Sequence, residues 1–220
     1  MTDFHGRVLV LGANGETGRR VIKALQAKGI PARALVRSEE KAQGLQSSTT
    51  EVVVGELLDG NDIRRAMQGI TALISTLGTR TFTDAKAIEE TEYTAIVHSI
   101  EAAKEAGVTH YVLCSSMGTD APERMPPLAD ILRTKRRAED ILMGSGLAYT
   151  IVHPGGLSNE PGGKGVLVQR HPLPTNGMIS RDDVAEVLVQ ALLQPEARNK
   201  SVDIVNQPEQ GPANRSGLFN

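Results

Sequence analysis

The sequence predicts an α/β fold in which a mainly parallel sheet of about seven strands carries helices on both faces, and three observations support this. Short apolar runs alternate with amphipathic segments along most of the 220 residues. The runs are rich in Val, Leu and Ile without alternating polar positions, which is typical of strands buried on both faces. A cluster of glycines separates the first run from the first amphipathic segment. Repeated strand–helix units of this kind form a doubly wound sheet.

Each predicted element follows from one of these segments. The strands are predicted at 7–12, 32–37, 51–55, 72–77, 110–115, 149–153 and 202–205. The helices are predicted at 17–28, 39–46, 62–68, 84–106, 127–144 and 181–194. Ser180, with Asp183 three residues later, resembles a capping box at the start of the last helix.

The length of the chain fits one domain, which we assign to residues 1–206. Within it, the Gly/Pro-containing stretch 155–178 is a candidate substrate lid without regular structure. We expect the tail, 207–220, to be flexible.

Composition excludes several classes of protein. The 24 Lys and Arg nearly balance the 26 Asp and Glu, so no basic field favours a nucleic acid or an anionic membrane. The apolar runs are too short to span a bilayer, and the N-terminus lacks the apolar core of a secretory signal. Cys114 is the only cysteine and the five histidines are scattered, so we predict no disulfide and no metal site. We therefore expect a cytoplasmic protein.

The stretch "GANGETG", residues 12–18, predicts a nucleotide-binding turn. It places Gly12, Gly15 and Gly18 between the first strand and the first helix, spaced as GxxGxxG. Glycines at such a turn let the backbone approach a pyrophosphate and let the helix pack on the strand. The helix N-terminus offers free N–H groups to phosphate. Glycines also end strands for purely structural reasons, so the triplet alone is a weak signal.

The end of the second strand favours NADP(H) over NAD(H). A free ribose 2′-hydroxyl is usually met by an acidic residue here, whereas this sequence has Arg37 and Ser38, with Lys41 nearby. A guanidinium and a hydroxyl suit a 2′-phosphate. Alternatively, Arg37 and Lys41 are solvated charges that pair with the adjacent Glu39 and Glu40.

Later strand ends contribute further candidate cofactor contacts. Ligands of open parallel sheets lie outside the carboxyl ends of the strands. Five residues occupy such positions after the third and fourth strands: Glu56, Leu57, Leu77, Gly78 and Thr79. Leu57 and Leu77 could equally be core residues.

Taken in order, several motifs resemble the atypical short-chain dehydrogenase/reductase family, especially members related to NmrA-like proteins and to biliverdin-IXβ and flavin reductases. The motifs are "GANGETG", "LVRSEEK", "VVVGELLD", "EAAKEAGVTHYVLCSSMG", "KRRAEDILMGSGLAYTIVHPGGL" and "ISRDDVAEVL". The resemblance covers residues 6–206. It implies a Rossmann sheet with an NADP site along the strand ends, but it does not identify a substrate.

The resemblance also implies roles for individual residues. Asn14, Glu16 and Thr17 join the glycines in the pyrophosphate loop, and Arg37, Ser38 and Lys41 fall where the 2′-phosphate is held. The residues implied near the nicotinamide or its ribose are Ser115, Ser116, Lys135, Pro154 and Gly155.

This sequence departs from the family at two positions. Ile131 stands where typical members have the tyrosine that protonates a carbonyl, four residues before Lys135. His153 stands where many relatives have arginine. Ordinary carbonyl–alcohol interconversion is therefore not favoured.

Lys135 falls on the core-facing stripe of its helix with Leu128, Ile131, Leu132 and Leu142, opposite Arg133, Arg137 and Asp140. Either its stem lies on apolar surface while the ammonium reaches water, or it reaches a polar cavity and binds the cofactor ribose. The second reading is favoured because an unpaired buried ammonium is costly.

The candidate catalytic residues are Ser116, Lys135 and His153. Ser116 could bind an acceptor or merely its own backbone. His153 is a candidate proton donor because an imidazole titrates near neutral pH, although a structural role is the commoner one for a lone histidine.

Three functions are compatible with the sequence. The first is an NADPH-dependent reductase whose small-molecule acceptor, a flavin, quinone or tetrapyrrole, delocalises the incoming charge. The second is an NADP(H)-binding redox sensor or scaffold that acts through a protein partner. The third, a sugar-nucleotide or isoflavone-type reductase, is disfavoured by the short region after the sixth strand.

Overall fold

The computed structural model describes residues 4–173, 177–207 and 217–220. The strands of this part of the chain are β1 (Val8–Leu11), β2 (Ala32–Val36), β3 (Thr50–Val54), β4 (Ala72–Ser75), β5 (His110–Cys114), β6 (Tyr149–Pro154), β7 (Gly156–Ser158), β8 (Val166–Arg170), β9 (Met178–Ser180) and β10 (Lys200–Asn206). The α-helices are α1 (Glu16–Ala27), α2 (Gly60–Met67), α3 (Ala85–Glu89), α4 (Ala95–Glu105), α5 (Ala129–Gly144) and α6 (Arg181–Leu193).

Eight of these strands form one sheet, in the order β3-β2-β1-β4-β5-β6-β10-β8. Neighbouring strands are parallel except β10 and β8, where Ile204 pairs with Val168 in an antiparallel register. The doubly wound, mainly parallel Rossmann-type fold predicted from the sequence is confirmed, with one more strand than the predicted seven.

Each face of the sheet is covered by its own set of helices. One buried cluster joins the sheet to α1 and α6, through residues such as Ile22, Leu25 and Leu188. The other joins it to α2, α4 and α5, through Ile63, Ile100 and Leu142. All residues of β1, β2, β4 and β5 are buried, as expected for strands covered on both faces. Among the described residues, no helix has the length and apolar content needed to cross a bilayer.

Two helix predictions require correction. Of the helix predicted over 39–46, only a 3₁₀ turn at Glu39–Ala42 forms, and the chain then bends through Gly44, whose φ of +74° is left-handed. The long helix predicted over 84–106 consists of α3, a π-helical segment (Glu90–Thr94) and α4. The capping arrangement at α6 is confirmed, because the Ser180 hydroxyl accepts a hydrogen bond from the Asp183 N–H at 3.1 Å.

The stretch 155–178 was expected to lack regular structure, and its described part contains β7, β8 and the first residue of β9. The glycines and prolines of this stretch interrupt the apolar runs that predict strands, so these short strands were not predicted. β8 is an edge strand with an exposed polar end, and β7 and β9 pair only with each other.

The tail expected to be flexible falls largely outside the described residues. Its last residues are an exception, because Phe219 is buried in the core and its carbonyl accepts a hydrogen bond from the Lys200 ammonium.

Candidate active site

The candidate site lies where the winding of the sheet reverses. β1 and β4 are neighbours, and the chain runs from β1 outward to β3 on one side and from β4 to β6 on the other. In an open α/β sheet, the loops that leave such a pair of strands part and form a crevice at the carboxyl ends. Thr76 closes the base of this crevice, because its N–H donates to the Leu11 carbonyl at 3.0 Å.

The glycine turn between β1 and α1 exposes its backbone to the crevice, because its glycines have no side chains to cover it. Gly12 has φ +76°, and a Cβ there would lie 2.8 Å from the Thr76 carbonyl carbon. A Cβ on Gly18 would lie 2.1 Å from the Gly12 oxygen, and the Gly15 N–H donates to that oxygen at 2.8 Å. α1 begins at Glu16, so its first N–H groups lack partners within the helix. This bare turn and helix start fit a pyrophosphate.

The polar residues of this turn have contacts of their own. The Asn14 side-chain oxygen accepts a hydrogen bond from Arg19, which orients it along α1. Glu16 forms an ion pair with Arg20 at 3.2 Å. The Thr17 side chain is partly exposed beside them.

Arg37, Ser38 and Lys41 lie together at the carboxyl end of β2. Arg37 and Lys41 are exposed and Ser38 is half-buried. Neither cation pairs with Glu39 or Glu40 in the described part of the chain, so the alternative interpretation of mutual neutralisation is not favoured. The arrangement leaves the guanidinium free to meet an anion.

The predicted contact residues after β3 and β4 differ in how accessible they are to a ligand. Glu56 is exposed, while its N–H donates to the Asp62 carboxylate at 2.8 Å. Leu57 is partly buried against the α2–α4–α5 core, and Leu77 is only 7% exposed. Gly78 is exposed and no nearby backbone covers it.

A buried ion pair lies at the centre of the crevice. The Lys135 ammonium is 2.7 Å from a Glu92 carboxylate oxygen, with side chains 15% and 3% exposed. The other Glu92 oxygen accepts the Thr79 N–H at 2.6 Å. Burial lowers the pKa of Lys135, but Glu92 more than offsets this and holds that pKa above its ordinary value. The lysine is therefore charged, as well as buried on the predicted stripe.

Lys135, Glu92, Leu77 and Ser115 line one small cavity of about 10 Å³, close to the room that one water molecule needs. Three of these four residues were predicted as site residues from separate segments of the sequence. The fold brings them together because their segments follow β4 and β5 or face those strands from α5.

The remaining predicted residues lie at the ends of β5 and β6. Ser116 is half-buried, and its hydroxyl donates to the Met117 carbonyl at 3.2 Å, which is the structural alternative expected for it. The carbonyl of Pro154 accepts the Met117 N–H at 3.1 Å, and the Gly155 N–H donates to Ile204 at 3.0 Å. Backbone bonds thus fix both loops at the rim of the crevice.

His153 does not line the small cavity but lies behind Ser115 and Glu139, and its role as a proton donor stays a prediction. Its ring is completely buried, and its Nε2 lies 3.0 Å from Glu139 Oε1. The Ser115 hydroxyl donates to that same oxygen, and Thr119 donates to Oε2 at 3.3 Å. Burial raises the pKa of Glu139, but the bonds from His153 and Ser115 outweigh it and lower that pKa below its ordinary value.

A second histidine lies behind the first. The rings of His153 and His171 stack at 4.0 Å with 13° between their planes, and His171 Nδ1 is 2.7 Å from Asp203 Oδ1. These three residues could supply metal ligands. However, a ring nitrogen's lone pair lies in the plane of its ring, so one ion cannot lie in both of two stacked planes. The rings in this position do not suit a metal.

Sequence reasoning missed Glu92, Glu139, His171 and Asp203. Glu139 carries a usable signal, since it follows Lys135 by four residues and so shares its helix face. The other three lie on separate segments that no periodicity connects.

Comparisons with known proteins agree with this geometry. A sequence profile described as NAD(P)H-binding matches residues 12–195. An uncharacterised chloroplastic protein of Arabidopsis thaliana is 37% identical over 228 residues, covering 92% of this chain and 70% of that protein. Sanguinarine reductase of Eschscholzia californica is 34% identical over 245 residues, covering 92% of this chain and 89% of the relative.

A solved structure also matches nearly the whole chain. It is that of a candidate NAD-dependent epimerase/dehydratase of Bacillus halodurans, with a TM-score of 0.89 and 31% identity. The match covers 98% of this chain and 99% of that one.

Proposed function

The chain belongs to the NAD(P)H-binding family, within the atypical short-chain dehydrogenases/reductases, and from this premise we propose that it is an NADPH-dependent reductase. Its acceptor would be a flavin, a quinone or a tetrapyrrole-like compound. The relative named sanguinarine reductase supports reductase activity. The reduced nicotinamide would supply the hydride when bound.

One observation carries the proposal: the charged Lys135 faces a cavity beside Ser115 at the carboxyl ends of β4 and β5. A buried ammonium held by Glu92 is a fixed positive charge where negative charge would develop on an acceptor. Lys135 and Glu92 would also be positioned to hold the ribose hydroxyls of the cofactor. Ser115 offers a hydroxyl at the same place.

The proposed acceptor classes follow from the replacement of the family's tyrosine by Ile131. Ile131 is 6% exposed and brings no proton donor to the crevice. An acceptor that spreads the incoming charge over conjugated rings does not require a strong acid at the moment of transfer. The Met178 side chain, 58% exposed on the small sheet that follows Gly155, offers apolar surface to such a planar molecule.

The preference for NADPH rests on Arg37. Its exposed guanidinium, free of ion pairs with the described residues, would bind the 2′-phosphate together with the Ser38 hydroxyl. The Arg37→Ala substitution should raise the KM for NADPH about tenfold or more and leave that for NADH nearly unchanged, because a charge-assisted hydrogen bond contributes about 1.5–3 kcal/mol. Arg133→Ala, an exposed arginine on the outer face of α5, is the matched control.

The reductase proposal itself is tested by NADPH oxidation. The purified protein would be assayed with FMN, FAD, a quinone and a linear tetrapyrrole, and the loss of reduced-nicotinamide absorbance followed, with NADH in parallel. Saturable turnover with at least one acceptor is expected. A rate no higher than the protein-free rate with all four would contradict the proposal.

The same site supports a second candidate function, an NADP(H)-dependent sensor that acts through a protein partner. The observation that favours it is Ile131, which deprives the crevice of the usual acid. Tight NADPH binding without turnover would support this function, and equal partner binding by the apo, NADP and NADPH forms would contradict it.

A further inference from the structure

A chain of buried polar side chains leads away from the crevice, and cofactor binding does not account for it. It begins at Ser115, which lines the cavity, and continues through Glu139 to His153. Ser115, Glu139 and His153 are 7%, 1% and 0% exposed. A purely structural contact would not require a carboxylate and an imidazole together in the core, where each is costly to desolvate.

The hydrogen bonds of His153 fix the number of protons in this chain. Its Nδ1 is 3.3 Å from the Val202 carbonyl, which can only accept, so Nδ1 carries a hydrogen. Its Nε2 faces Glu139 Oε1 at 3.0 Å, and a bond there requires one proton between the two atoms. The pair is therefore either imidazolium with carboxylate or imidazole with carboxylic acid. In both forms it stores one transferable proton next to Ser115.

The chain continues from His153 towards the surface. Asp203 Oδ1 lies 3.7 Å from His153 Nδ1 and 2.7 Å from His171 Nδ1. His171 Nε2 is buried without a hydrogen-bond partner among the described residues, and it lies 3.8 Å from the carboxylate of Asp120. Asp120 is exposed, so this outer side of the cluster lies next to solvent.

We propose that Ser115, Glu139 and His153 form a proton relay that delivers the proton of the reduction to the acceptor, while Asp203 and His171 hold His153 in place from behind. This inference rests on the proposed reductase function and assigns the proton donor that Ile131 does not provide. Ser115, at the cavity, is the catalytic residue of the relay, and Glu139 and His153 store the proton that it delivers.

The relay balances the reaction. The acceptor gains a hydride, and its anionic atom then takes the proton of the Ser115 hydroxyl as that oxygen takes the proton stored by Glu139 and His153. Once the product leaves, water at the cavity returns a proton to the Glu139–His153 pair through the Ser115 hydroxyl, by the same two hydrogen bonds in reverse. One hydride and one proton reach the acceptor, and each protein group returns to its starting state.

Several polar and charged groups surround this relay. Lys135 interacts electrostatically with Glu139, Thr119 donates a hydrogen bond to the second Glu139 oxygen, and Asp120 and Asp203 flank His171. Burial lowers the pKa of His171, but Asp203 and then Asp120 outweigh burial and raise it above the ordinary value. These two carboxylates thus favour the charged form of His171, which stacks against His153.

The Glu139→Gln substitution tests the relay, because glutamine keeps the shape but cannot store the proton. We expect kcat to fall about 100-fold, the order that a general acid contributes, with little change in the KM for NADPH. The variant's pH profile should differ from that of wild type, because the carboxylate that shares the proton with His153 is gone. Glu105→Gln, an exposed glutamate at the end of α4, is the matched control and should behave as wild type.

The possible results of these assays distinguish a failure of the relay proposal from a failure of the reductase proposal. No NADPH oxidation by the wild-type protein would overturn both proposals. Wild-type turnover that persists in Glu139→Gln with the same rate and pH profile would overturn the relay alone. If Glu139→Gln does not fold, Ser115→Ala replaces it, since it removes the delivering hydroxyl but keeps the Glu139–His153 pair; the same loss of kcat is expected.

A second readout does not depend on turnover. In ¹⁵N spectra of histidine-labelled protein, His153 should keep a protonated Nδ1, and its Nε2 signal should shift in Glu139→Gln. His110 bonds to Thr150 and pairs with no carboxylate in the described ranges of the chain, so it is the internal control. A His153 ring whose Nδ1 lacks its hydrogen, or whose spectrum is the same in wild type and variant, would overturn the relay.

Discussion

At the scale of single residues, the candidate site depends on how Lys135 is paired. The helical stripe predicted that this lysine lies on the buried face of α5, and the cost of an unpaired ammonium predicted that it reaches polar groups. The partner could not be predicted, because Glu92 approaches from a segment 43 residues earlier. Pairing between distant segments depends on tertiary structure, which local pattern does not contain.

The Glu92→Gln substitution should therefore destabilise the protein strongly at neutral pH. Removing one partner of a buried pair leaves the other charge uncompensated, and such changes cost about 3–5 kcal/mol. Urea unfolding at pH 7 would measure the loss. Glu90→Gln, an exposed neighbour that lies 3.7 Å from Lys86, should change the free energy of unfolding by less than about 0.5 kcal/mol.

The destabilisation caused by Glu92→Gln should change with pH in a defined direction. The folded-state pKa of Lys135 is raised, so its contribution to stability is complete below the ordinary lysine value and is lost as pH rises through the raised value. In Glu92→Gln, burial, which lowers the pKa of Lys135, is opposed only by the smaller effects of Cys114 and Glu139. The difference between variant and wild type should shrink from pH 7 to pH 10, and a difference that stays constant would contradict the ion-pair interpretation.

At the scale of elements, the site depends on how closely α1 approaches β1. Gly18→Ala would place a Cβ 2.1 Å from the Gly12 oxygen, so the helix must move away from the turn. We expect a loss of about 1–3 kcal/mol, the cost of overpacking, together with weaker NADPH binding. Thermal unfolding and cofactor titration would measure the two effects.

Gly144→Ala is the matched control for this substitution. Gly144 ends α5, its conformation is ordinary, and nothing lies within 4 Å of the Cβ that would be added. Alanine there should stabilise the protein by up to about 1 kcal/mol. Equal effects of the two substitutions would show that helix propensity, rather than close approach, governs Gly18.

The elements also show which parts of the fold a sequence can specify. The parallel strands were predictable because burial on both faces selects unbroken runs such as Val8–Leu11. The strand Val166–Arg170 was not, because an edge strand has one neighbour and tolerates polar residues. The π-helical segment Glu90–Thr94 is defined by tertiary contact, including that of Glu92 with Lys135, and leaves no periodic signal.

The same distinction applies to the site. Residues that follow strands, such as Gly12, Arg37 and Ser115, could be named in advance because all carboxyl ends of parallel strands meet at one edge. Asp203 and His171, which lie behind His153, could not, since their positions depend on how β10 and the segment after β8 pack behind β6.

At the scale of the whole molecule, stability in acid should depend on buried groups distributed across the sheet. His110 begins β5 and is 2% exposed. Its Nε2 lies 2.9 Å from the Thr150 hydroxyl, which itself donates to the Ala197 carbonyl at 2.7 Å. The hydroxyl must therefore accept from the ring, so His110 Nε2 carries a hydrogen in its neutral form.

Protonation of His110 should accordingly oppose folding. Burial, and then the charge of Arg198, lower its pKa from 6.5 to about 4. The unfolded chain binds this proton more readily, so the stability is fully present above pH 6.5 and is lost as pH falls towards 4. At 1.36 kcal/mol per pKa unit, the loss from this one residue is roughly 3 kcal/mol.

The His110→Gln substitution isolates this loss, because glutamine keeps a donor for Thr150 but does not titrate. His171 should not contribute to the difference: its pKa is raised, so its stabilisation is complete below 6.5. Glu139, whose pKa is lowered, acts mainly below its ordinary value of 4.5 in both proteins. Urea unfolding at pH 6.5 and pH 4 should therefore show that wild type loses roughly 3 kcal/mol more than the variant. Equal losses would mean that the folded sheet accommodates a charged His110, against the bonding that Thr150 imposes.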